Sequence, residues 1–83
     1  MLTIKVLGSG CANCKRLEQL TQKVVDDMGV EAEVVKVSDP TKYADYGVMS
    51  TPGLVINDNT VSSGRIPSIA EITSFVTTAL AVS

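Results

Sequence analysis

The sequence predicts one α/β domain over residues 1–83, with the element order β-α-β-α-β-β-α and a mixed four-stranded sheet flanked by helices. Three observations lead to this fold class. Alternating apolar residues occupy positions 2–7, an apolar stripe of helical spacing follows, and a β-branched run occupies residues 30–37. Because a β-α-β crossover is right-handed, the first two strands should be parallel, and the last two should form an antiparallel hairpin.

The first two helices are predicted from their apolar spacing and their end signals. The first starts at the C-x-x-C motif of residues 11–14, carries its apolar stripe from Cys14 onward and ends at Gly29, a residue type that commonly terminates helices. The second is short: Ser38-Asp39-Pro40 indicates a cap followed by proline in the first turn, and Gly47 should end it after Tyr46. The apolar stripe of the first helix consists of Leu17, Leu20, Val24, Val25 and Met28.

The last third of the chain predicts a hairpin and a final helix. Residues 54–56 form the third strand, Asp58-Asn59 a tight turn, and residues around 60–63 the fourth strand. Ser68 and Glu71 have the spacing of a capping box at the start of a helix. The buried stripe of this helix is expected to be Ile69, Ile72, Phe75, Val76, Ala79 and Leu80.

Composition excludes several classes of protein. Seven Lys and Arg against nine Asp and Glu give a net charge of −2, which leaves too few cations for a nucleic-acid-binding face. With no His and two Cys, the chain can build neither a Ser–His or Cys–His nucleophile pair nor a four-thiolate zinc site of its own. The sequence shows no signal peptide and no membrane-spanning run, so we expect a cytoplasmic protein without membrane contact.

The two cysteines form a C-x-x-C motif, Cys11-Ala12-Asn13-Cys14, where the first helix begins. A helix N-terminus carries partial positive charge and unpaired N–H groups, which favour a thiolate. Cys11 can reach those groups and solvent, whereas Cys14 falls on the apolar stripe. We therefore expect Cys11 to be an exposed nucleophile and Cys14 a shielded resolving thiol. A structural disulfide closing so short a loop would add only about 2 kcal/mol, so redox or metal use is favoured.

Lys15 and Arg16 follow the motif directly. Cations in the first turn oppose the helix dipole, so helix stability by itself does not favour them there. Beside Cys11 they would lower the pKa of its thiol and activate the thiolate. The alternative interpretation is that both are ordinary solvated surface charges.

Thr51-Pro52 is a second candidate site, because a proline at the start of a buried strand removes a backbone donor. If the bond is cis, the Thr51 backbone becomes a docking edge for an extended peptide near the cysteines. The alternative is an ordinary trans proline that begins a strand, which general frequencies favour.

Three segments together resemble the small thioredoxin-like redox-active disulfide proteins. They are GSGCANC at residues 8–14, YGVMSTP at residues 46–52 and GRIPS at residues 64–68. The resemblance runs nearly from end to end and implies a minimal thioredoxin fold, thiol–disulfide exchange as the activity, and no cofactor beyond a redox-active disulfide. It also implies that Cys11 attacks, that Cys14 resolves, and that Pro52 is cis and faces the pair.

The chain departs from the larger members of that group in several places. Gly10 stands where thioredoxins have Trp, and Ala12-Asn13 replaces their Gly-Pro and the Pro-Tyr of glutaredoxins. Thioredoxins also place a buried acid in the strand before the motif, whereas the first strand here offers only Lys5 as an ionisable side chain. Proton transfer from Cys14 would then depend on water or another group.

The leading hypothesis is a thiol–disulfide oxidoreductase, an enzyme or redox carrier that exchanges the Cys11-Cys14 pair with protein or small-molecule disulfides. Its expected partners are a disulfide-containing protein or small thiol and a reductase, and it should act as a monomer. The first alternative is a thiolate metal-binding protein, since two thiolates suit Cu(I) or Zn. The second is a non-catalytic interaction module, whose partner binding would survive loss of both cysteines.

Overall fold

A computed structural model describes residues 2–8, 12–48 and 50–82, with the backbone only for residues 40 and 82. The predicted element order is confirmed, with the short second helix continuing into one turn of 3-10 helix at Ala44–Tyr46. The strands and α-helices are β1 Leu2–Leu7, α1 Ala12–Met28, β2 Ala32–Val37, α2 Pro40–Tyr43, β3 Gly53–Ile56, β4 Asn59–Ser63 and α3 Ile69–Val82.

The four strands form one mixed sheet in the order β2-β1-β3-β4. β1 and β2 are parallel because the α1 crossover returns the chain to the same end of the sheet. β3 is antiparallel both to β1 and to β4, as expected of a hairpin added beside the central strand. In this register Leu7 lies opposite Gly53, so the last residue of β1 is next to the first residue of β3.

The two faces of the sheet pack against different helices. On one face, Leu2, Ile4 and Val6 of β1 lie in a core with buried side chains of α1 and α3, such as Leu17 and Ile72. Burial of a side chain of this size contributes about 1.5–3 kcal/mol. The opposite face carries a smaller cluster, in which Leu7, Val48 and Val55 pack with Val37, Tyr43 and Tyr46.

The predicted helix ends are confirmed by their local geometry. Gly29 terminates α1 with a left-handed φ of 65°, which glycine adopts without a steric penalty. Asp39 caps α2 by accepting a hydrogen bond from the Thr41 N–H at 3.0 Å. At the start of α3, the Glu71 N–H donates to Ser68 Oγ and the Ser68 N–H donates to Glu71 Oε1, each at 3.2 Å.

Several predicted boundaries are wrong by one or two residues. β2 begins at Ala32 rather than Val30, and β3 begins at Gly53 rather than Leu54. The hairpin turn lies at Asn57 and Asp58, whose φ angles of 50° and 66° are those that asparagine and aspartate tolerate.

The predicted stripe of α3 is also partly wrong, because Ile69 and Leu80 are each 42% exposed. Ile72 and Val76, in the middle of the helix, are fully buried as predicted.

Candidate functional site

Cys14 occupies the first turn of α1 and is 1% exposed. Its side chain lies on the buried face of the helix, as the apolar stripe indicated, and its sulfur is disulfide-bonded. The other cysteine of the motif, Cys11, lies outside the described residues together with Ser9 and Gly10. Lys15 and Arg16 follow Cys14 in the same turn and are both exposed.

Gly8 is a site residue that the sequence analysis missed. It follows β1 directly, and its N–H donates to the Val37 carbonyl at 2.9 Å. A Cβ atom at this position would lie 2.2 Å from Cys14 Sγ and 2.7 Å from Cys14 Cβ. The backbone at the end of β1 therefore passes directly against the side chain of Cys14, and the position accepts no side chain without displacing α1. A glycine at the end of a strand was the available sequence signal, but it is equally typical of an ordinary turn.

The peptide bond between Thr51 and Pro52 is cis. Pro52 is buried, whereas Ser50 and Thr51 are exposed. Because Pro52 precedes Gly53, and Gly53 lies opposite Leu7, this loop is beside the end of β1 that contacts Cys14. The structure thus brings Cys14, Thr51 and Pro52 to the same end of the sheet.

The loop that contains Thr51 and Pro52 is held by backbone hydrogen bonds on one side and by a close approach to the Val48 side chain on the other. The Gly64 N–H donates to the Ser50 carbonyl at 3.1 Å and to the Pro52 carbonyl at 3.0 Å. On the other side, Gly53 lies so close to Val48 that an added Cβ would be 2.9 Å from Val48 Cγ1. In the part of the chain that the structure describes, neither backbone polar group of Thr51 has a hydrogen-bond partner.

Lys5 lies in β1, where the resemblance would have placed an acid, but its ammonium group is bound elsewhere. Lys5 Nζ donates to the Tyr46 hydroxyl at 2.6 Å and forms an ion pair with Asp58 Oδ1 at 3.3 Å. The hydrogen bond to Tyr46 raises the pKa of Lys5 above its ordinary 10.5, and Asp58 acts in the same direction. Asp58 follows the end of β3 remote from Gly53, so Lys5 is directed away from the cysteine end of the sheet.

Within residues 2–8, 12–48 and 50–82, His, Cys, Asp and Glu side chains form no group of three or more that could hold a metal ion. In the same ranges, every helix is too short or too polar to cross a membrane.

The family model and the relatives found by sequence comparison all carry thioredoxin descriptions. The family model described as "Thioredoxin domain" matches residues 2–77. Over 72 residues the chain is 39% identical to the thioredoxin of Methanocaldococcus jannaschii, covering 87% of this chain and 83% of that protein. It is 33% identical over 72 residues to the thioredoxin of Methanothermobacter thermautotrophicus, covering 87% of this chain and 94% of that protein.

Solved structures show the same fold at lower identity. The thioredoxin Deadhead of Drosophila melanogaster superposes with a TM-score of 0.65 at 20% identity, over 93% of this chain and 79% of that one. Thioredoxin 1 of Thermosipho africanus superposes with a TM-score of 0.64 at 21% identity, over 96% of both chains. The resemblance inferred from the three sequence segments is therefore confirmed: the chain belongs to the thioredoxin domain family and is a redox protein of the oxidoreductase class.

Proposed function

We propose that this protein is a thiol–disulfide oxidoreductase in which Cys11 is the nucleophile and Cys14 the resolving cysteine. The observation that carries the proposal is the environment of Cys14. Its side chain is in the first turn of α1, 1% exposed and in contact with Gly8, which is the shielded position that a resolving thiol needs. Family membership supports the same chemistry.

The proposed reaction has two exchange steps. The Cys11 thiolate attacks one sulfur of a substrate disulfide, the substrate S–S bond breaks, and one substrate thiolate leaves. Cys14 then loses its proton and attacks the Cys11 sulfur, which releases the second substrate thiolate and forms the Cys11–Cys14 disulfide. Two electrons have passed to the substrate, and a reductase returns two electrons to the pair. The redox-active disulfide is the whole electron carrier, so the reaction requires no cofactor.

Activation of Cys11 in this proposal depends on charge rather than on an acid–base side chain. The chain contains no histidine, so no imidazole can accept the thiol proton. The N–H groups of the first turn of α1 and the cations Lys15 and Arg16 are what would stabilise the thiolate and lower the pKa of Cys11.

Thr51 and Pro52 are proposed to form the surface that receives the substrate. Thr51 is exposed beside a buried proline, at the end of the sheet where Cys14 lies. Its backbone N–H and carbonyl, which have no partner among the residues that the structure describes, would form strand-like hydrogen bonds with an extended peptide that carries the disulfide. The substrate class that fits is therefore a disulfide in a protein segment, although small disulfides could react without this edge.

We propose that the protein acts as a single-domain monomer in the cytoplasm. Its partners there are disulfide-containing proteins or small thiols and a reductase that restores the dithiol. Thioredoxin family membership supports substrates and a reductase of this kind.

Reduction of insulin by dithiothreitol tests the proposal. The wild type should accelerate precipitation of the insulin chains, and Cys11→Ser should abolish the acceleration. Cys14→Ser should still attack but fail to resolve, so a mixed disulfide with substrate should accumulate and be detectable by mass spectrometry. A wild type no faster than Cys11→Ser would refute the proposal, and stoichiometric Cu(I) or Zn in the purified protein would favour thiolate metal binding instead.

A further inference from the structure

The loop between β4 and α3 carries a two-point ion pair between Arg65 and Glu71. Arg65 Nη1 donates to Glu71 Oε1 at 3.2 Å, and Arg65 Nη2 donates to Glu71 Oε2 at 2.7 Å. This two-point contact fixes the orientation of both planar groups, whereas a lysine at position 65 could make only one such contact. The two hydrogen bonds from Arg65 and a hydrogen bond from the Ser68 N–H lower the pKa of Glu71 to about 2. The Arg65–Glu71 pair therefore stays ionised at physiological pH.

Glu71 joins the loop to the helix, because the same carboxylate makes two connections. Its Oε1 accepts the N–H of Ser68 at 3.2 Å in the capping box, while both oxygens bind Arg65. The side chain therefore connects the first turn of α3 to a residue three positions before the cap. The Glu71 carboxylate thus links Arg65 in the loop to Ser68 at the start of the helix.

The residue immediately before Arg65 contacts the proposed docking edge. Gly64 has a left-handed φ of 74° and donates its N–H to the carbonyls of Ser50 and Pro52, the residues on either side of Thr51. A Cβ on Gly64 would lie 3.1 Å from Ser50 Cβ, so the two segments are in close contact. A displacement of residue 65 would therefore be transmitted to the carbonyls that flank Thr51.

We propose that the Arg65–Glu71 pair positions the substrate-docking edge at Thr51, acting through the Gly64 N–H. This inference rests on the proposed function and adds two positioning residues to it. Neither side chain takes part in thiol exchange. Exposed ion pairs usually contribute little to stability, so we expect only a small change in the free energy of unfolding and a larger effect on docking.

The experiment compares three variants with a matched control. Glu71→Gln removes the carboxylate but keeps an amide oxygen that can accept from the Ser68 N–H. Arg65→Ala removes both hydrogen bonds to Glu71, and Arg65→Lys keeps the positive charge without the two-point contact. Lys23→Ala is the control, since it removes an exposed ion pair within α1, Lys23–Asp27 at 3.8 Å, without touching the loop.

Two readouts separate positioning from general destabilisation. For insulin, Glu71→Gln and Arg65→Ala should raise KM about threefold to tenfold with little change in kcat, Arg65→Lys should have a smaller effect, and Lys23→Ala none. The rate with a small aromatic disulfide such as dithiobis-nitrobenzoate, which has no peptide to dock, should be unchanged. Amide hydrogen exchange of Gly64, followed by NMR, should accelerate in the same two variants.

The outcomes distinguish this inference from the proposed function. A wild type without reductase activity would overturn the proposed function and the docking role together. An active wild type with unchanged KM in Glu71→Gln and Arg65→Ala would overturn the positioning role alone. Equal losses with insulin and with the small disulfide would also overturn it, because they would indicate a general change of the redox site.

Discussion

The two ends of the sheet are stabilised by different kinds of contact. The redox end, defined here by Gly8, Cys14, Pro52, Gly53 and Gly64, is built mainly from backbone groups and close approaches at glycine. Gly8 contacts Cys14, Gly53 contacts Val48, and Gly64 binds two carbonyls through its N–H.

The hairpin end, defined by Lys5, Tyr46, Asn57, Asp58 and Thr60, is instead connected by side chains. Lys5 binds Tyr46 and Asp58, the Asn57 side chain accepts the N–H of Thr3 at 3.0 Å, and Thr60 Oγ1 donates to the Tyr46 carbonyl. When a polar side chain at the surface is removed, water can take over its hydrogen bonds. A backbone segment packed directly against another group leaves no space for an added side-chain atom. Substitutions at the redox end should therefore have the larger effects.

Gly8→Ala should be the most damaging single substitution. The new Cβ would lie 2.7 Å from Cys14 Cβ, an atom that no side-chain rotation can move, so α1 must shift. We expect a loss of about 3 kcal/mol or more in the free energy of unfolding, measured by urea denaturation. We also expect slower resolution of the mixed disulfide, because Cys14 is displaced.

Gly29→Ala provides the matched control for that experiment. Gly29 has a positive φ but nothing within 4 Å of an added Cβ, whereas Gly8 has the contact and no positive φ. The free energy of unfolding of this control should fall by only about 1–2 kcal/mol, and the variant should retain full reductase activity. Equal losses in the two variants would show that the contact with Cys14 is unimportant.

Gly53→Ala should have the next largest effect, and a second substitution should relieve it. The added Cβ would lie 2.9 Å from Val48 Cγ1 in a buried cluster. We expect the free energy of unfolding to fall by about 1–3 kcal/mol. Val48→Ala removes the methyl groups concerned, so Gly53→Ala should be less costly in the Val48→Ala background. A double-mutant cycle measured by urea denaturation checks this, and strictly additive losses would contradict the close contact.

What could be predicted from the sequence was local. The alternation of Leu2, Ile4 and Val6 and the capping box of Ser68 and Glu71 report the geometry of one element, and both predictions are confirmed. The motif position also predicted that Cys14 would be buried.

The contacts between elements were not predictable in the same way. The approach of Gly8 to Cys14 depends on how the crossover packs α1 over the end of β1. The Lys5–Tyr46 hydrogen bond joins residues 41 positions apart. Local periodicity carries no information on these distances.

Glu71 acts through its side chain on the loop that follows Gly64, and its contribution to stability should disappear in acid. Hydrogen bonds from Arg65 and from the Ser68 N–H lower the pKa of Glu71 from 4.5 to about 2. The ionised group therefore stabilises the folded state above pH 4.5, and this stabilisation is lost as the pH falls through about 2. Urea midpoints measured between pH 7 and pH 2 should therefore fall less steeply for Glu71→Gln than for the wild type. The hydrogen bonds to Thr41 lower the pKa of Asp39. Asp39 should therefore account for part of the pH dependence of the urea midpoint that is left in Glu71→Gln.

Tyr46→Phe should have the smallest effect, because it tests a side-chain contact at the hairpin end. The substitution removes the hydroxyl that accepts from Lys5, but it leaves Asp58 and the aromatic ring, whose centroid is 5.0 Å from Lys5 Nζ. The pKa of Lys5, followed by NMR titration, should fall toward 10.5, while insulin reduction stays at the wild-type rate.

Tyr43→Phe is the matched control for Tyr46→Phe. In the described part of the chain, the buried Tyr43 hydroxyl has no hydrogen-bond partner, so its removal should raise the free energy of unfolding by about 1 kcal/mol. Tyr46→Phe, which loses a hydrogen bond, should instead lower the urea midpoint slightly. If Tyr46→Phe impaired reductase activity as severely as Gly8→Ala, the two ends of the sheet would be functionally coupled, and the division between them would fail.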